Sequence, residues 1–264
     1  MTGGIAVSEA LVVTSGKGGV GKSTVAVNLA VSLARRGKKT VVIDADTGLR
    51  SLDVLLGMEN DVVYDLTDVV EGVCKLRQAV VKVRDVDNLS MLAAAQLRDM
   101  SSVSREQMEK VVSELKEQFD YVIIDCPAGV DLGFRVAVAG ADRAIIVTHN
   151  DAICQRDVER VKGLLQRADV NDMALLVNRV TPEKLKKKQP SSCAVMAEKL
   201  EMKLIGNIEA RAVVREAAEK GRPVVLEDEE LAETFDEIAR RVMGEEIPVR
   251  PVCELGFWAR LLKG

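Results

Sequence analysis

The sequence predicts a single doubly wound α/β domain, a mainly parallel sheet with helices on both faces. Three observations predict it. Short apolar runs of strand length recur between longer stretches with helical spacing, the alternation that βαβ crossovers produce. The chain is 47% hydrophobic but only 3% aromatic, so its core is built from Val, Leu, Ile and Ala, the residues that fill parallel strands buried on both faces. The first apolar run leads into a glycine-rich turn that opens the first helical stretch, a junction where ligands gather in such sheets. The prolines are scattered, and no Ser/Gly linker or internal repeat divides the 264 residues, so one core accommodates them.

Residues 1–9 read as a flexible tail, 10–247 as the domain, and 248–264 as a linker followed by an amphipathic helix. The strand-sized runs are Leu11 to Val13, Thr40 to Ile43, Leu89 to Ala93, Tyr121 to Ile124, Ala144 to Val147, Ala174 to Val177 and Leu204 to Ile208. The first helix carries Val25, Ala26, Leu29, Ala30 and Leu33 on its apolar face and stops at Gly37, with Arg35 and Arg36 on its negative dipole end. Late helices are expected near Arg211 to Lys220 and Leu231 to Met243, the acidic Glu227 to Glu230 capping the second.

The turn after the first run reads Gly16, Lys17, Gly18, Gly19, Val20, Gly21, Lys22, Ser23, Thr24, which satisfies the phosphate-loop pattern G-x-x-x-x-G-K-[ST]. Glycines let backbone N–H groups converge on phosphate oxygens, and the helix that follows adds its own N–H groups and dipole. Lys22 is then placed to reach the β and γ phosphates and the Ser23 hydroxyl to ligate Mg²⁺. Gly16, Gly18 and Gly21 also spell G-x-G-x-x-G, with Asp44 and Asp46 at a dinucleotide-fold distance. The Lys22-Ser23 pair decides for a nucleoside triphosphate, which brings more charge and a metal. Asp44 and Asp46 close the second run, where a carboxylate faces the ligand crevice and serves Mg²⁺ or the attacking water, or else caps a turn. The run Tyr121 to Ile124 delivers Asp125, the second metal-side carboxylate of phosphate-loop enzymes. Cys126 follows it where many fast ATPases carry glutamate, so hydrolysis is expected to be slow without a stimulating partner.

Five widely spaced cysteines with no C-x-x-C point to neither a disulfide framework nor a zinc or iron–sulfur site. His149, the only histidine, excludes triads and histidine clusters and reads as a structural residue after a strand. The opening MTGGIAVSEA lacks a secretory pattern, no run has the length of a membrane span, and Asn88-Leu89-Ser90 is read as a chance glycosylation triplet. A net charge of −4 argues against a global nucleic-acid surface. The lysine-rich stretch from Arg179 to Cys193 reads as a solvated loop or as a patch for anionic lipid or nucleic acid. At the far end, Leu255, Phe257, Trp258, Leu261 and Leu262 fill one side of a helical wheel, with Arg260 and Lys263 opposite. This is the pattern of a helix lying in a membrane interface, or of one docked on the domain itself. One such tail binds weakly once its ordering entropy is counted, whereas two joined on a dimer gain avidity.

The phosphate loop with its additional Lys17 resembles that of the deviant-Walker ATPases, the MinD/ParA family. DADTGLRSLDVLLG, VVYDL, IIDCPAG and the amphipathic C-terminus resemble the division-site-selecting branch of that family, over nearly the whole chain from about residue 11. The resemblance implies an ATP- and Mg²⁺-dependent homodimer in which Lys17 crosses to the partner's phosphates. It implies that Asp46 positions the hydrolytic water, that Asp44 and Asp125 serve the Mg²⁺ shell, and that Asn178 and Arg179 contact adenine. It also implies a cytoplasmic protein held peripherally on anionic inner-membrane lipids, recruiting a MinC-like division inhibitor and released by a MinE-like activator or polar anchor protein, with no specific nucleic acid. Ser51 stands where the branch often has asparagine, and Ile208-Glu209 lacks the proline that often follows that strand. A ParA-like or flagellar-placement scaffold is the alternative, and a metallocluster carrier lacks its cysteine pair.

Overall fold

The computed structural model describes residues 8–46, 51–95, 103–183 and 191–253. Its strands are β1 (Glu9–Thr14), β2 (Thr40–Asp44), β3 (Val81–Lys82), β4 (Leu89–Leu92), β5 (Tyr121–Asp125), β6 (Arg143–Thr148), β7 (Asp172–Val180) and β8 (Lys203–Glu209). They form one sheet in the order β3-β4-β2-β5-β1-β6-β7-β8, parallel throughout except for the β3–β4 edge. The longer helices are α1 (Lys22–Arg35), α5 (Arg105–Lys116), α7 (Ala152–Arg167), α8 (Ser192–Lys199) and α10 (Glu229–Val242). The shorter ones are α2 (Leu52–Leu55), α3 (Leu66–Val70), α4 (Leu76–Ala79), α6 (Leu132–Ala137) and α9 (Val213–Glu219).

Strand alternation sorts the core into two layers. Ala10 and Val12 of β1 pack with Met108, Val112, Phe134, Val161 and Met196 from α5, α6, α7 and α8. Leu11 and Val13 of the same strand face the other way, onto Val25 and Leu29 of α1 and Phe235 and Ile238 of α10. A strand with a helix layer on each side has no polar face, which is why these runs are continuously apolar. Gly37, at φ +77°, closes α1 as expected, its N–H bonded to the Ala34 carbonyl. Asp228 caps α10 by accepting from the Leu231 N–H, with Glu229 and Glu230 in the first turn.

The body begins earlier and ends later than the sequence suggests. Glu9, expected in the tail, pairs with Tyr121 across β1–β5 and binds Arg143, while the Ser8 hydroxyl donates to the Phe119 carbonyl. Residues 248–253, expected as linker, lie on the body as a strap. Buried Arg241 donates to the carbonyls of Ile205, Ile247 and Pro248, Asn207 Nδ2 to that of Arg250, and the Glu183 N–H to that of Val252. Two prolines deprive the strap of N–H groups, so carbonyl-seeking side chains fasten it instead. The proposed membrane residues Leu255, Phe257, Trp258, Leu261 and Leu262 lie outside the described residues.

Candidate nucleotide site

β1 lies where the strand order reverses, between β5 and β6, and its carboxyl end opens into the glycine-rich turn. The turn is shaped by close approach on both sides. A Cβ on Gly16 would stand 2.6 Å from the Cβ of Asp157 on α7, and one on Gly21 would stand 2.4 Å from Nδ2 of Asn178. Gly21 also has φ +92°, which side chains rarely adopt. Asn178, buried at the carboxyl end of β7, donates through Nδ2 to the Val20 carbonyl at 2.8 Å, and its Oδ1 accepts from the Arg179 N–H at 2.9 Å. Its amide thus braces the phosphate loop. Arg179 is exposed, at φ +55° in a bulge of β7. Sequence separation hides this brace, since its partners lie 158 positions apart.

Lys22 is buried at the start of α1, while Ser23 and Thr24 are half-buried and Lys17, Gly18 and Gly19 are exposed. Asp44 and Asp125 face the same end of the sheet, opposite each other in the β2–β5 register and both fully buried. Burial, reduced by three backbone hydrogen bonds, pushes the Asp44 carboxyl up to about 6. Those bonds come from the N–H groups of Asp46, Ser51 and Leu52, so Asp44 ties the segment after β2 to the start of α2. Burial and repulsion from Asp44 push Asp125 further, to about 8, although the Ser23 hydroxyl and the Lys22 ammonium favour its charge. Neither oxygen of Asp125 has a well-formed hydrogen bond among the described residues. A buried carboxylate with both oxygens unsatisfied, beside a second carboxylate and facing a hydroxyl, fits a hard divalent cation with oxygen ligands. Asp46 is half-buried next to this pair. Cys126 supplies no base, because burial pushes its thiol up to about 12.

A family profile described as ParA, NUBPL iron-transfer P-loop NTPase, matches residues 6–243. The septum site-determining protein MinD of Synechocystis sp. is 46% identical over 240 residues, covering 90% of each chain. The chain belongs to the MinD/ParA family, on its MinD branch. Among solved structures, MinD in the MinC:MinD cell division complex of Aquifex aeolicus superposes with TM-score 0.84 at 38% identity, covering 94% of this chain and all of the other. The septum site-determining protein MinD of Pyrococcus horikoshii, complexed with Mg-ADP, gives TM-score 0.79 at 28% identity over 91% of this chain and all of that one. The MinD/ParA fold is therefore the doubly wound, mainly parallel P-loop architecture expected from the sequence. Among the described residues, no helix is long and apolar enough to cross a membrane.

Proposed function

We propose that this chain is an ATP-dependent dimerising membrane switch that helps position the division septum. Mg·ATP occupies the turn from Gly16 to Thr24, and the observation that carries the reading is the buried pair Asp44 and Asp125 beside Ser23. Mg²⁺ supplies charge neutralisation between the phosphates and this pair. Ser23 and Asp125 would hold its shell, and Asp44, which accepts from the N–H groups of Asp46, Ser51 and Leu52, would link that shell to the segment leading into α2. Lys22 bears on the β and γ phosphates, and the N–H groups of Gly18, Gly19, Val20 and Gly21 cradle their oxygens, with Thr24 at the helix start. Lys17, exposed on the rim, reaches the phosphates of a second copy. Asp46 orients the hydrolytic water. Asn178 and Arg179 flank the base, with Asn178 bracing the loop from below.

Two tails on one dimer then bind anionic lipid on the inner face of the cell membrane through Leu255, Phe257, Trp258, Leu261 and Leu262. The MinC:MinD complex of a relative supports a MinC-like partner, which the proposed dimer recruits, and hydrolysis, stimulated by a MinE-like protein, releases the dimer from the membrane. Light scattering with Mg·ATP tests the roles: Asp46→Ala is expected to trap dimer and Lys17→Ala to stay monomeric, and the reverse pattern overturns them. Trp258 fluorescence with anionic vesicles tests the tail, with an ATP-dependent blue shift expected.

A further inference from the structure

Beside the phosphate loop, three side chains of different chemistry converge that the nucleotide chemistry does not use. His149 follows β6, Asp151 caps α7, and Cys154 lies in its first turn. One ligand atom from each lies within 4.8 Å of the others. We propose that His149, Asp151 and Cys154 form a binding site for a borderline-soft divalent cation of the Zn²⁺ type, separate from the hard-cation site at Ser23 and Asp125.

The helix cap preorganises two of the ligands. Asp151 uses Oδ1 to accept from the N–H groups of Ile153 and Cys154, at 3.0 and 2.8 Å, which leaves Oδ2 turned toward Cys154 Sγ at 3.1 Å. A tetrahedral zinc site with bonds of about 2.0–2.3 Å sets its ligand atoms roughly 3.3–3.8 Å apart. Oδ2 and Sγ already stand close to that spacing, and with all three ligand atoms within 4.8 Å of one another a small side-chain adjustment completes the set. Nε2 of His149 is shut off from solvent and has no hydrogen-bond partner among the described residues. Cys154 is buried, whereas Asp151 is exposed and gives the ion a way in. As the metal–sulfur bond forms, the thiol proton that now faces Asp151 leaves to solvent.

The donor set selects the ion. Nitrogen, thiolate and one carboxylate oxygen suit Zn²⁺ or Co²⁺ and discriminate against Mg²⁺, which takes oxygen ligands. Three protein ligands leave one position for water, the count of an open rather than a closed structural site. Lys17 acts electrostatically on all three residues. A dication there repels the Lys17 ammonium, so the ion and the lysine compete for one corner of the site. Cysteine spacing could not reveal the cluster, because it contains a single cysteine.

The test uses the full chain, freed of nucleotide and metal. Competition with a chromophoric chelator is expected to give one Zn²⁺ per chain in the presence of excess Mg²⁺, and Co²⁺ to give a thiolate charge-transfer band. Cys154→Ser and His149→Ala should each weaken Zn²⁺ by about tenfold or more, while Cys253→Ser, which removes an exposed thiol, leaves it unchanged. Lys17→Met should tighten binding severalfold. Circular dichroism of each variant separates lost ligation from lost folding. Absent Zn²⁺ binding, or affinity unchanged in folded Cys154→Ser, overturns the proposal.

Discussion

The two ends of the sheet treat charge in opposite ways. At the amino ends of the strands, every charge named here has found a partner. Arg143 at the start of β6 reaches Glu9 of β1 at 2.9 Å and Asp172 of β7 at 3.0 Å, stitching three strands together. Asp142 accepts from Lys116 and from the Ala10 N–H, and Asp120 from the Lys39 N–H. These groups are partly exposed and satisfied. At the carboxyl ends, Asp125 and Asp44 are buried side by side, and among the described residues neither Asp125 oxygen nor His149 Nε2 has a well-formed hydrogen bond. The amino end is built for stability. The carboxyl end buries two carboxyls whose ionisation is disfavoured by that burial, and in the function proposed above a bound cation and polyphosphate would relieve this and so add to ligand affinity.

Removing the unsatisfied charge is the strongest way to break this contrast. Asp125→Asn should abolish the Mg²⁺-dependent part of nucleotide affinity, a loss of roughly a hundredfold if the metal contributes several kcal/mol. The same change should raise the melting temperature of the nucleotide-free protein at pH 8. Calorimetric titration and thermal melts read the two arms, and a nucleotide-free variant less stable than the parent would refute the comparison.

The pH profile sharpens it. Both carboxyls carry folded pKa values above the ordinary 3.8, Asp44 near 6 and Asp125 near 8. Between about 4 and 8 the folded state therefore binds more protons than the unfolded one, and stability falls as pH rises through that window. The total is of order several kcal/mol, and saturating Mg·ADP should flatten the curve.

The loop brace gives an intermediate effect. Asn178→Ala leaves the Val20 carbonyl buried without its donor and should cost about 1–3 kcal/mol, with weaker nucleotide binding. Chemical denaturation and fluorescent-nucleotide titration measure both. At the amino end, Lys116→Met should cost less than about 1 kcal/mol, diminish further in high salt and leave nucleotide affinity alone, because its pair with Asp142 is exposed.

How far this was legible beforehand follows the same division. The seven parallel strands announce themselves as apolar runs, and the phosphate loop is a contiguous motif whose chemistry needs no neighbours to be read. β3, only two residues long and antiparallel at the edge, is too short to leave a periodic signal. The double duty of Asp44 toward Ser51 and Leu52, and the clasp of Asn178 on Val20, depend on distances through space that no local pattern encodes. The strap escapes a sequence reading for a related reason: prolines suggest a break in structure, but the side chains that fasten this segment belong to β8 and α10.

That strap is stitched into the body largely through one side chain. Its last residue, Cys253, lies beside Glu183, and Arg241, which donates to the Ile247 and Pro248 carbonyls where it begins, also donates to the Ile205 carbonyl of β8. One guanidinium thus joins α10, β8 and the strap. Arg241→Ala would therefore loosen all three together.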